Sequence, residues 1–165
     1  MKVINESLSV LSDGGHPTFH DITEDVKKIF LQSKTMNGIC TIYSHHTTCS
    51  VIIQECSHDK TYLGLENLQQ DLCTVMEKII PTCRYQSQYL HPGPEHIEFS
   101  KSVGDEPIAC LNTDAHLRSS IFGRSETVII ENGVLDLGDF GHIYFIDWDQ
   151  IRARERVIKI SIIGE

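Results

Sequence analysis

The spacing of apolar residues changes period several times along the chain. Residues 3–11 alternate weakly and predict a first strand. Asp13-Gly14-Gly15-His16-Pro17 is turn chemistry. Val26, Ile29, Phe30 and Ser33 then share one helical face. Thr23 is placed to cap that helix, Glu24 and Asp25 suit its positive end, and Asn37-Gly38 is expected to close it. Residues 39–43 and 49–55 predict two strands around Ser44-His45-His46-Thr47-Thr48. Leu65, Leu68, Leu72, Val75, Met76 and Ile79 keep a 3.6-residue period, so a long helix is expected from about Leu63 to Ile80, closed by Pro81. Residues 82–107 hold no period and predict a long loop around His91-Pro92-Gly93-Pro94-Glu95-His96. A short helix is expected from Asn112 to near Gly123. Strands at 127–131 and 134–137 flank Asn132-Gly133, a strong two-residue hairpin signal. Two more are expected at 143–148 and 156–163. Strands in series with few helices favour one antiparallel α+β domain over a doubly wound parallel sheet.

Composition adds exclusions. The 165 residues fit one domain, and the apolar and charged fractions are ordinary for a globular chain. The net charge of −9 argues against a nucleic-acid groove or an anionic membrane, because both need clustered cations. The one basic cluster is Arg152, Arg154, Arg156 and Lys159, and it leaves room for a small phosphorylated ligand. No apolar run approaches the roughly 20 residues of a membrane span. The start of the chain lacks a secretory pattern, so a cytoplasmic protein is expected. The six cysteines include no C-x-x-C pair and are expected to be reduced, mostly buried thiols.

Nine histidines are an excess for this length, and their placement matters more than their number. His45 and His46 end a strand, His91 and His96 lie in the long loop, and His116 starts a helix. Junctions let side chains point into a cleft. Three imidazoles with an open fourth position make a catalytic zinc geometry, although the spacing here is not that of a zinc finger or of H-E-x-x-H. His16, His20 and His58 read as ordinary loop histidines.

Several ordered motifs resemble one family. His46-Thr47-Thr48 is followed by an apolar strand ending in Gln54-Glu55, and Asn112-Thr113-Asp114-Ala115-His116-Leu117 comes later. Gly133-Val134-Leu135-Asp136-Leu137-Gly138 follows near the end. Together they resemble the YjbQ-like family, also called the secondary thiamine-phosphate synthase family. The resemblance implies a strongly curved antiparallel sheet with a few helices packed against it, a homotrimer, and a divalent metal, zinc by the ligand type. By motif position the metal ligands are His46, His116 and the histidine of Tyr89-Leu90-His91, with His96 competing for the third place. The chain departs from the family pattern at Gln54, Asp139-Phe140-Gly141 and Asp149-Gln150-Ile151, while Arg152 and Arg154 match its two arginines.

Roles follow for the neighbours. Glu55 is expected either to line the His46 cleft as a general base or to be a solvated strand-end carboxylate. Asp114 is expected to cap its helix. Ser119 and Ser120 are candidates to receive a phosphate, and Arg152 and Arg154 to clamp one. Three functions compete. The family label implies joining a pyrimidine pyrophosphate to a thiazole phosphate, giving thiamine phosphate. A tri-His metal also suits a hydrolase that uses metal-bound water. The third is a non-catalytic, ligand-binding trimer.

Overall fold

Alternating strands need partners on both edges of the core, and the chain supplies eight. The computed structural model describes residues 1–165. In order the elements are β1 (Lys2–Leu11), β2 (Thr18–Asp21), α1 (Thr23–Ser33), β3 (Gly38–Ser44), β4 (Cys49–Glu55), α2 (Asn67–Ile79), α3 (Pro94–Ser102), a 3-10 turn (Pro107–Cys110), α4 (Thr113–Phe122), β5 (Ser125–Glu131), β6 (Val134–Leu135), β7 (Gly141–Asp147) and β8 (Glu155–Gly164). One sheet has the order β1-β8-β3-β5-β6 and the other β2-β7-β4. Every strand pair is antiparallel. The two sheets curl as a half-barrel around one main core. Cys40 and Ile42 of β3, Val128 and Ile130 of β5, and Ile158, Ile160 and Ile162 of β8 meet Val51, Ile143 and Phe145 there, with Val26 and Phe30 of α1. Burying each such large side chain is worth about 1.5–3 kcal/mol. A smaller core of Met76, Ile80, Ala115, Ile146 and Trp148 joins α2 and α4 to the outer face of β7. No helix is long and apolar enough to cross a membrane.

Several expectations shift in detail. Thr23 is the first residue of α1 rather than its cap. The N-cap is Ile22, which makes no side-chain cap bond, and the Oδ1 of Asp21 before it accepts from the Thr23 N–H at 3.0 Å. Lys34, in the left-handed region at φ 53°, ends α1, and Gly38 already belongs to β3. α2 starts at Asn67, later than expected, because Glu66 and Gln69 form a reciprocal capping box. The expected loop at 82–107 contains α3. This helix has a proline at its start and buries only Ser100, so it shows no apolar stripe. β2 was also not expected. Asp114 caps nothing; its Oδ1 accepts from the Cys83 N–H at 3.0 Å, tying α4 to the segment after α2. The Asn132-Gly133 hairpin is present, with φ of 51° and 75°, as a primed turn requires. All six cysteines are free thiols. Four are buried, and burial pushes Cys40 and Cys73 up to about 11.

The topology creates a seam. The His45-to-Thr48 turn crosses from β3 in one sheet to β4 in the other. The end of β7 and the start of β8 arrive beside it, since Cys49 faces Asp147 and Ser44 faces Ile158. The Trp148 N–H donates to the Thr48 carbonyl at 3.0 Å, and Ser119 Oγ of α4 donates to the Cys49 carbonyl at 2.6 Å.

Candidate functional site

At this seam lies a cavity of about 330 Å³ with an almost entirely polar lining. Two histidines, His45 and His46, come from the turn between sheets, His116 from the first turn of α4, and His96 from α3. Arg152 and Arg154 from the approach to β8, and Arg156 from the start of β8, reach the same cavity. Their alternate spacing puts all three on one face of an extended segment. Asp105 is the one carboxylate in the lining.

Each arginine is held differently. Arg156 is 4% exposed, and its Nε and Nη2 donate to Asp147 Oδ2 and Oδ1 at 2.7 and 3.1 Å. Nη2 also donates to Thr48 Oγ1 at 3.1 Å, which pins the His-Thr-Thr turn. Asp147 is fully buried and does not line the cavity, so it neutralises Arg156 from behind. Arg154 lies 3.6 Å from Asp149, an ion pair too long for a hydrogen bond. Arg152 Nη1 donates to Asp105 Oδ1 at 2.9 Å, while its Nε is buried with no partner. Arg152 and Arg154 therefore keep guanidinium donors for an anion.

The histidines differ in what their nitrogens can offer. His116 Nδ1–H donates to the Thr47 carbonyl at 3.2 Å. That fixes its tautomer and leaves Nε2 as a free lone pair, the arrangement usual for a metal-ligating histidine. His91 does not line the cavity, but its ring lies 5.8 Å from His116 and 4.5 Å from His96. Its Nε2 is buried and unpartnered, an orphan atom that suits a ligand. His46 is different. Its Nε2 accepts the Val157 N–H at 2.9 Å, so a neutral ring carries its proton on Nδ1 and has no lone pair to give. The donor chemistry fits a metal at His91 and His116 and does not fit at His46 in this rotamer. No three His, Cys, Asp or Glu side chains stand close enough to share one ion.

Burial lowers the pKa of His46, and Arg156 and His45 push it the same way. Burial lowers His91 and His116 as well, the latter against the pull of the Thr47 carbonyl. The same holds for His20 in β2, where Asp13 and Asp147 only partly offset burial. A folded pKa below the unfolded value of about 6.5 means that the unfolded chain binds protons first. Stability is therefore expected to be full above about pH 6.5 and to fall as pH drops toward each folded value. His20→Gln should make that decline shallower in urea titrations at pH 7.5 and 5.5. An unchanged slope would remove His20 from the account.

Three expected site residues lie elsewhere. Glu55 is exposed at the far end of β4 and does not line the cavity. Seven extended residues put it about 20 Å from the His46 end, beyond the reach of a general base. Ser119 is buried and committed to the Cys49 carbonyl, and Ser120 Oγ donates to the His116 carbonyl at 2.8 Å. Neither faces the cavity. Arg156, His45, Thr48, Asn112 and Asp105 were missed as site residues. For Arg156 a signal existed, because it continues the alternate spacing of Arg152 and Arg154.

Fold and cavity together define a small curled-sheet protein with a histidine- and arginine-lined site. The chain belongs to the UPF0047 protein YjbQ-like family, whose model matches residues 7–165. It is 29% identical over 139 residues to a UPF0047 protein of Archaeoglobus fulgidus, covering 84% of this chain and 87% of that one. It is 29% identical over 140 residues to UPF0047 protein YugU of Bacillus subtilis, covering 85% and 86%. A solved yjbq/upf0047 family structure from Clostridium acetobutylicum superposes with a TM-score of 0.71 at 26% identity, covering 96% of this chain and 99% of that one. A hypothetical protein of Aeropyrum pernix shares the fold at a TM-score of 0.68 and 22% identity, covering 97% and 99%.

Proposed function

We propose that this protein binds a small phosphorylated ligand in the seam cavity and acts on it with a divalent metal, zinc. One observation carries the reading: three guanidinium groups converge on one cavity that only one carboxylate faces, in a chain of net charge −9. Arg152 and Arg154 bind the anion through their uncommitted donors, while Arg156, neutralised by Asp147, pins the His-Thr-Thr turn that lines the cavity. Zinc in this proposal sits on His91 and His116, and His46 completes the set by turning its ring away from Val157. A bound zinc ion supplies a Lewis acid for a phosphoryl oxygen or an activated water. Charge neutralisation of this kind serves a reaction that releases pyrophosphate, as thiamine-phosphate synthesis does.

Titration of inorganic phosphate by calorimetry tests the anion half, and absence of heat at millimolar phosphate would sink it. Equilibrium dialysis against zinc tests the metal half. One ion per chain, lost in His116→Ala, supports it, and zinc uptake that ignores the substitution refutes it. The proposal also includes a homotrimer. Its support is a row of exposed apolar side chains, Ile39, Tyr43 and Ile129, on the outer face of the five-stranded sheet. Light scattering should give three times the 18.7 kDa of one chain, and a monomer mass would end that part of the proposal.

A further inference from the structure

α3 is tied loosely to the rest of the fold. Before it, Thr113 Oγ1 donates to the His91 carbonyl at 2.6 Å, and after it Ala109 and Cys110 are buried. Between these anchors α3 buries only Ser100, and Phe99 and Val103 are 62% and 60% exposed, so no apolar face holds the helix down. Asp105 follows the helix, and its N–H donates to the Ser100 carbonyl at 3.0 Å, which makes carboxylate and helix move together. The Asp105 carboxylate accepts from Arg152 Nη1 at 2.9 Å, the one side-chain hydrogen bond that joins residues 94–108 to a distant part of the chain. The Arg152 guanidinium holds the Asp105 carboxyl below the usual carboxylate range, and Arg154 adds to the effect, so Asp105 is negative at neutral pH.

This carboxylate is also the only one in the lining of the seam cavity, and it rests on an arginine that the proposed anion needs. We infer that Asp105 competes with the ligand's anion for Arg152, so that phosphate binding displaces Asp105 and releases α3 from the cavity mouth. The inference rests on the proposed phosphate site and adds its regulation. Displacement is easy for two reasons. The ion pair is open to water, at 41% and 40% exposure, and such a pair is weak. Asp105 engages Arg152 through one oxygen, whereas a phosphate brings three strong acceptors, enough for Arg152 and Arg154 together. His96 belongs to α3 and lines the same cavity, so release of the helix carries a histidine away from the mouth and widens the entrance. Linkage then runs both ways: whatever frees α3 favours phosphate, and phosphate favours the freed helix.

Asp105→Asn keeps the shape of the side chain and removes its charge. By calorimetry it is expected to bind inorganic phosphate about threefold tighter than the parent, the factor set by an exposed ion pair. Glu106→Gln removes a charge from the next residue, which is exposed and lies outside the cavity lining, and should leave the affinity nearly unchanged. Hydrogen exchange read by mass spectrometry follows the helix itself. The amides of α3 should exchange about threefold faster in saturating phosphate, and in Asp105→Asn they should be that fast with or without it. An Asp105→Asn affinity equal to or below that of the parent would overturn the inference. So would an equal gain in Glu106→Gln, which would reduce Asp105 to general surface charge. Unchanged or slower exchange of α3 in phosphate would overturn it too, because the helix would then stay down on the bound anion. Absence of phosphate heat in parent and variants alike would refute the phosphate site itself.

Discussion

Asp147→Ala is expected to lower the unfolding free energy by about 3–5 kcal/mol, because it strands a buried guanidinium. Asp147 is fully buried, Arg156 is 4% exposed, and the two meet through paired hydrogen bonds of 2.7 and 3.1 Å. The neighbouring Asp149 lies 3.9 Å from Arg156 and cannot replace that geometry. The loss should reach the site as well, because Arg156 also holds Thr48 of the His-Thr-Thr turn. Urea denaturation measures the effect. The double variant Asp147→Leu with Arg156→Met removes both charges and should recover much of the lost stability, as buried ion pairs replaced by apolar residues often do. A single variant within about 1 kcal/mol of the parent would mean that the pair is solvated, contrary to this account.

The second large effect concerns binding. Arg152→Ala combined with Arg154→Ala should weaken inorganic phosphate binding about a hundredfold, since each charge-assisted contact is worth roughly a factor of ten. Both side chains are partly exposed, at 41% and 28%, so the fold should survive. Circular dichroism checks the fold, and calorimetry reads the affinity. Phosphate affinity unchanged in a folded double variant would place the anion elsewhere.

Much of the architecture was legible because strands and amphipathic helices carry a period. β4 matches its expected bounds, and β1, β5 and β8 differ by a residue or two at their ends. α3 was not legible, because Ile97 and Phe99 do not lie at helical spacing and nothing covers Phe99. β2 has four residues, too few to show a period. The site was legible in part for a related reason. Motifs name residues but not directions. His46, His116, Arg152 and Arg154 do gather at one cavity, whereas Glu55 was misplaced although the length of the expected strand already put it about 20 Å from the His46 end. Ser119 was misplaced because nothing in its own helix announces that the Cys49 carbonyl across the sheet will take its hydroxyl. The hydrogen bond from Val157 to His46 was equally invisible, since it joins residues far apart in the chain.

The central claim is that the three arginines and the adjoining histidines form an anion site. A crystal soaked in tungstate, a heavy tetrahedral stand-in for phosphate, tests it most directly through anomalous scattering. The account predicts a peak in the seam cavity within hydrogen-bond reach of Arg152 and Arg154. No peak there, or a peak only on other basic residues of the surface, would contradict it.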